Sequence, residues 1–532
     1  MKELQLAANR RRGLSRRAAH RVLGGVAAGA AAVATSGTVL AQAAVVSDEL
    51  RIVAHRLFYG LDPVHDQSAE FLRGVGAGEG LFRLNQYGDV EPELAQSAEM
   101  LDPFRWRVDL RPNATFWRGA PVDARAVVAS LERSRLLAPP AAAPLSGIRI
   151  EPAGEQAVLF QADVPIPGLL LRLADPLLMI HNGDAYGPAD NAFDLGVADL
   201  TGYFRVTEFE PRVRATLVRN ERYWGVSPRT GRIRFTEVVD PEARTLAALS
   251  GEAHIVRLIT TAAARQVERS RTMRVVSPTG TTPSTAYLNT TKAPFDDVRV
   301  RQALAWAVDR DALALAYDGY ATAIPSWLAA GPMYPEAQRV GYVRTDVAKA
   351  AQLLDQAGWR LPAGGGVRLK DGQPLAFRLF WHGTNNLICE VLQEQWKRLG
   401  VQVNVQGSSD RGFLIGNLEK GDWDALIQAW SVVGDPATIV EAHLAPEGVR
   451  NYPKFRDPAI DAMLAPFGQL LDSEARRRQA LRANEVQADL VPFIPLISVN
   501  YVTAVGRSVQ SYVPHFDLWG PAELTPDVWA TA

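Results

Sequence analysis

One cysteine in 532 residues, Cys389, removes two chemistries at once. No intramolecular disulfide can form, and no thiolate cluster can hold a metal. Cys389 lies inside an apolar helical pattern, which suits a buried structural thiol better than a nucleophile. Histidines are few and scattered: His65, His181, His254, His382, His443 and His515 show no H-E-x-x-H spacing. A G-x-S-x-G elbow and a phosphate-binding loop are both missing. No cofactor, metal or catalytic role is therefore expected. Charge of one sign is not in excess either, the formal net charge being −1, so electrostatics makes no case for nucleic acid. Beyond residue 43 no run is long and apolar enough to span a bilayer, which takes about 20 residues. What remains is an ordinary globular composition, 47% hydrophobic and 22% charged, in a chain too long for one core. Two or three domains are the natural expectation.

The first 43 residues stand apart. Lys2, Arg10, Arg11, Arg12, Arg16, Arg17 and Arg21 against Glu3 give +6, followed by an uncharged Ala/Gly-rich stretch over 22–40 and then Ala41-Gln42-Ala43. That order is the order of an export signal cleaved near Ala43. Ser15-Arg16-Arg17 resembles a twin-arginine signal, although Ala18, Ala19 and His20 replace the usual apolar residues. The competing reading is a retained anchor, but the stretch is only weakly hydrophobic. Removing +6 from −1 leaves a mildly acidic mature chain near −7. With no cysteine at the cleavage site to carry a lipid, a soluble, monomeric periplasmic protein is expected.

The clearest fold signal lies between residues 375 and 436. Residues 375–381 read as a strand. Residues 386–399 carry Ile388, Val391, Leu392, Trp396 and Leu399 at helical spacing before Gly400. Val401, Val403 and Val405 alternate as a strand, residues 410–420 suit a second helix, and 424–430 suit a third strand. Strand, helix, strand, helix, strand with short links favours a parallel sheet with right-handed crossovers. Ligands of such sheets sit beyond the carboxyl ends of the strands, where Trp381 and Trp430 fall. Each tryptophan either faces a ligand or fills the core. Asp435 with Pro436 reads as a helix cap followed by proline at the first helical position.

Elsewhere the early chain is strand-rich. Strands are expected near 50–58 and 106–110, a helix capped by Asp123, a hairpin over 148–164 and paired strands over 202–220. Asp297 opens a long helix bearing Val298, Ala303, Leu304, Ala307 and Val308. Another helix fills 346–356, Lys370-Asp371-Gly372-Gln373 marks a hairpin, and helices over 458–471 and 473–490 precede strand at 493–505. There is no tandem repeat.

An ordered series of short matches resembles the extracellular solute-binding proteins of family 5, the dipeptide, oligopeptide and nickel-binding receptors of ABC importers. It includes Leu61-Asp62-Pro63, Pro92-Glu93-Leu94-Ala95, Val108-Asp109-Leu110-Arg111-Pro112, Thr201-Gly202-Tyr203-Phe204 and Tyr223-Trp224-Gly225. The strongest block is Asp297-Val298-Arg299-Val300-Arg301-Gln302-Ala303-Leu304 with Ala307-Val308-Asp309-Arg310, and Ile494-Pro495-Leu496 closes the series. The resemblance implies an α/β, bilobal periplasmic-binding-protein fold (class II, cluster C type) with an extra β-rich subdomain. Residues 44–80, 200–275 and 490–532 would form lobe I, 81–199 the subdomain and 276–489 lobe II. A peptide or other small-molecule ligand would be enclosed between lobes that close by hinge bending and then delivered to the importer's permease subunits. An envelope hydrolase or a chemosensory partner on the same scaffold are the alternatives.

In peptide-binding members a carboxylate three residues after the tryptophan matching Trp430 accepts the ligand's free amine. Here that position is Val433, in a loop one residue shorter before Asp435. Asp435 is the nearest acidic substitute, but the cap already explains it. Trp430, Ser431 and Val432 are candidates for stacking on, or hydrogen bonding along, an extended ligand. Trp381 and Asn385 are candidates at a neighbouring strand end. His55 and Arg56, in the first crossing segment, complete the set; Arg56 suits a carboxylate or phosphate, or else a surface or inter-lobe salt bridge. Arg118 reads as a solvated turn residue, and Arg299, Arg301, Asp309 and Arg310 as structural ion pairs. The missing charge at Val433 leaves a peptide, an anionic solute or a metal chelate open as ligand.

Overall fold

The computed structural model describes residues 46–65, 68–85, 87–382, 386–408, 411–514 and 524–531. The export signal expected over 1–43 lies outside them, and so does Asn385. Among the described residues, no helix is long and apolar enough to cross a membrane.

The expected βαβαβ unit is present. Ala376–His382 pairs in parallel with Gln402–Ser408 on one side and Ala425–Ala429 on the other. Asn386–Arg398 and Arg411–Glu419 are the crossovers. The first of these buries Ile388, Cys389, Leu392 and Trp396, and the Trp396 indole donates to the Leu304 carbonyl at 3.1 Å. Pro283–Leu288 continues the sheet antiparallel to Ala425–Ala429, and Phe493–Val499 and Ala321–Ala323 extend it to six strands. Phe493–Val499, expected with lobe I, thus belongs to this second sheet. Its first six residues are buried, as a strand covered on both faces requires. The chain next pairs in the other large sheet at Thr503–Gly506.

The other large sheet has seven strands, with Glu49–Ala54 at its centre, parallel to Arg232–Glu237 and to Ile255–Arg257. Thr503–Gly506 joins it antiparallel to Ile255–Arg257. A third, four-stranded sheet is formed by Ala95–Asp102, Arg105–Leu110, Ala157–Gln161 and Arg149–Pro152. Helix Ala124–Leu137 packs on it, capped by Asp123, whose carboxylate accepts from the Ala126 N–H at 2.9 Å. Val108, Val127, Leu131, Val158 and Phe160 give this part a core of its own. The architecture is α/β and bilobal, with a strand-rich addition.

Two local expectations differ. The helix opened by Asp297 ends at Trp306, because Asp309 caps a separate helix, Arg310–Leu315. Arg301 and Arg310 are buried rather than paired with acids. Arg301 donates to the carbonyls of Phe295, Leu490 and Val491, and Arg310 to that of Pro495. Burial lowers both guanidinium pKa values to about 10. Arg299 does form the expected ion pair, with Asp297.

Candidate functional site

Trp381 and Trp430 leave the carboxyl ends of adjacent parallel strands, but on opposite faces of the sheet. Leu379 and Trp381 pack with the core that contains Ile388 and Trp396, whereas Leu426 and Trp430 pack with the core that contains Phe380 and Val440. Side chains along a strand alternate, so the register Leu379 to Ala425 and Phe380 to Leu426 sends positions 381 and 430 apart. Trp381 lies over Gly407 of the next strand, where a Cβ atom would come 2.4 Å from the indole. Both tryptophans are half-buried. The indole nitrogen of Trp430 is buried without a hydrogen-bond partner.

The loop after Trp430 has a tight internal structure. The Ser431 hydroxyl accepts from the Val433 N–H at 3.2 Å. Val432 is 1% exposed and its N–H donates to the Thr281 carbonyl at 3.0 Å, so neither its side chain nor its N–H is open to a ligand. Val433 is half-buried and uncharged. Asp435 caps Pro436–Leu444 through the Thr438 N–H and also holds Arg476 in a buried, two-pronged ion pair. Its carboxylate is committed twice. Gly168, from the strand-rich addition, closes over this pair in a left-handed conformation, leaving no room for a Cβ beside the Asp435 oxygen.

On the first sheet, His55 and Arg56 follow the carboxyl end of Glu49–Ala54, beside the end of Ile255–Arg257. The His55 Nδ1 is buried without a partner. Burial, and then the charges of Arg56, Arg244 and Arg257, lower its pKa to about 3, so the ring is neutral. Arg244 is occupied by the carbonyls of Val238, Val239 and Leu258. Arg56 lies 5.5 Å from the Tyr59 ring centre and donates to the Tyr59 hydroxyl; no carboxylate among the described residues pairs with it. The surface or inter-lobe salt bridge expected as its alternative is thus not formed among them. Arg118 donates to the Gly196 carbonyl, near the surface.

Sequence reasoning missed Arg450. Its guanidinium lies 4.5 Å from the Trp430 ring centre, and burial depresses its pKa while only Tyr287 and Tyr452 oppose that shift. An isolated Arg in Gly448-Val449-Arg450-Asn451 carries no motif, so nothing local could have flagged it.

The profile of the bacterial extracellular solute-binding proteins, family 5, matches residues 89–450, about two thirds of the chain. The chain belongs to this family. It is a solute-binding receptor of the ABC-importer type, and the family consists of receptors rather than enzymes. The family 5 receptor is 22% identical over 447 residues to the nickel-binding protein NikA of Staphylococcus aureus, covering 82% of this chain and 86% of that one. It is 23% identical to the glutathione-binding protein GsiB of Salmonella typhimurium, covering 91% and 95%. The fold matches NikA from Brucella suis in complex with Fe(III)-EDTA with a TM-score of 0.80 at 23% identity, over 90% of this chain and 100% of that one. It also matches AppA from Bacillus subtilis in complex with a nonapeptide with a TM-score of 0.69 at 20% identity, over 92% and 100%. Among the described residues of this family 5 receptor, no three His, Cys, Asp or Glu side chains are grouped to hold a metal ion. Cys389 is buried, which pushes its thiol up to about 12 and leaves it inert.

Proposed function

We propose that this receptor captures a small solute bearing an acid group, without using a free amine as anchor, and hands it to the permease subunits of its importer. The reading rests on what has become of the acidic group. Val433 stands where the resemblance places an amine-accepting carboxylate, and Asp435 is held on both oxygens by Arg476. Arg56 at the other strand end has no carboxylate partner among the described residues and suits an oxyanion. Relatives named for nickel and for glutathione agree with a ligand other than a plain peptide. The protein works in the periplasm as a monomer, after removal of residues 1–43, and does not turn its ligand over. His55, Arg56, Trp381, Asn385 and Trp430 are the proposed contacts, with 276–499 as the second lobe.

A thermal-shift screen of small carboxylic acids, their amides and short peptides tests this. A binder at 100 times its Kd adds about 2.7 kcal/mol to stability. Acids without an amine are expected to stabilise the protein. Tight binding of tripeptides that is lost on N-acetylation contradicts the reading.

A further inference from the structure

We infer that Arg450, with the indole N–H of Trp430, forms the oxyanion-recognition point of the second lobe, taking a carboxylate of the ligand. The inference rests on the receptor reading above and deepens it. Several buried arginines elsewhere in the chain are supplied with acceptors, Arg133 by Asp62, Arg476 by Asp435, Arg368 by Asp355, and Arg301 and Arg310 by backbone carbonyls; Arg172, whose Nε is buried without a partner, has the charges of Asp435 and Glu441 near it. Arg450 has no acceptor among the described residues, and no carboxylate is among the groups that act on it. Its side chain makes no ion pair and no hydrogen bond among the described residues, only the stacking on Trp430 at 4.5 Å. A half-buried cation without a counter-charge bears part of its desolvation cost, and that cost is recovered when a partner arrives.

Trp430 supplies the second, independent observation. Its indole N–H is a donor, buried, and has no acceptor. Two unsatisfied donors of stacked side chains at the end of a central parallel strand call for an acceptor-only group, and a carboxylate is the smallest that fits both. The surroundings agree. Tyr287, Tyr452 and a neutral His443, whose pKa burial lowers to about 3, are the neighbours of Arg450. Glu441, on the helix before it, has its pKa raised by burial, and the charges that act on it are those of Asp435, Arg476 and Arg172. The position is fixed as well, because the Arg450 N–H is bonded to the Ala442 carbonyl at 2.8 Å.

The test uses calorimetric titration of the mature protein with glutarate, citrate and N-acetylglutamate, and with glutaramide as the uncharged counterpart. Wild type is expected to bind at least one acid at least tenfold more tightly than glutaramide. Arg450→Gln is expected to lose at least tenfold for that acid while glutaramide changes less than twofold, and Arg450→Lys to recover part of the loss. Melting curves of both variants, unchanged in shape, establish that they fold. Acid binding kept within twofold in Arg450→Gln overturns this assignment and leaves the receptor reading intact. Binding confined to amine-bearing peptides, or to none of these acids, overturns the acidic-solute reading and this inference with it.

Discussion

Both oxygens of Asp435 lie against the Arg476 guanidinium, at 2.6 and 2.7 Å, and the two residues are 5% and 2% exposed. The same carboxylate caps a helix through Thr438. Removing one partner of a buried pair leaves the other charge desolvated, which costs roughly 3–5 kcal/mol. Arg476→Met and Asp435→Asn are each expected to destabilise by about that much in urea unfolding. The double variant is expected to lose less than the sum, since neither charge is then stranded. If Asp435 instead held a ligand amine, Asp435→Asn would cost peptide affinity and leave stability nearly unmoved.

Gly407 and Trp381 make a second such test. Gly407→Ala places a methyl group 2.4 Å from the indole, within a strand that cannot shift alone. Overpacking of this kind costs about 1–3 kcal/mol. The near-ultraviolet circular dichroism is expected to change with it as the indole is displaced. Gly416→Ala is the matched control: it lies in helix Arg411–Glu419 with open space at its Cβ, and is expected to stabilise by up to about 1 kcal/mol.

What sequence could reveal here was local. Asp123 and Asp435 were readable as caps because a cap needs only the next three residues. The βαβαβ unit was readable because periodicity switches between two and 3.6 over short spans. Trp381 and Trp430 were legible as strand-end residues, but their opposite faces depend on the register between Leu379 and Ala425, which no local pattern encodes. Arg301 looked like half of a structural ion pair, since the Leu490 carbonyl that holds it lies far along the chain. Phe493–Val499 was placed as a strand, yet its sheet follows from partners at Pro283–Leu288. Arg450 was silent because what distinguishes it is a missing partner, and that appears only when the neighbours are known.

Glu79 gives a pH-dependent prediction. It is 1% exposed, accepts from the Tyr223 hydroxyl at 2.7 Å and from the Trp224 indole at 3.1 Å, and burial with the nearby charge of Glu93 raises its pKa to about 8. The folded state therefore binds more protons than the unfolded state between about pH 4.5 and 8. Stability from this group is fully present below the lower value and is lost as pH rises through about 8, at up to about 1.4 kcal/mol per pH unit. His55 and His443 act in the opposite sense. Their folded pKa values of about 3 lie below the ordinary histidine value, so stability falls as pH drops below about 6.5. Glu79→Gln is expected to flatten the fall in stability towards alkaline pH, which this group produces between about pH 4.5 and 8. The amide still accepts from Trp224 and can donate to the Tyr223 oxygen. An unchanged alkaline slope would show that Glu79 is ionised at neutral pH.

Val433→Asp restores a carboxylate three residues after Trp430, where peptide-binding members of the family carry one. A charge-assisted hydrogen bond to an ammonium group is worth about 1.5–3 kcal/mol, so tri-alanine affinity is expected to rise by roughly tenfold or more. N-acetylation of the peptide removes the ammonium and is expected to cancel the gain. Affinity for acidic ligands is expected to fall in the same variant, because the new charge repels an oxyanion and offers the free Arg450 guanidinium a partner within the protein. Calorimetric titration of the three ligand types against both proteins separates these effects. A variant that gains nothing for tri-alanine would mean that the loop beyond Trp430 does not face the ligand's amine in this receptor, and that the substitution of valine for a carboxylate tells nothing about its cargo.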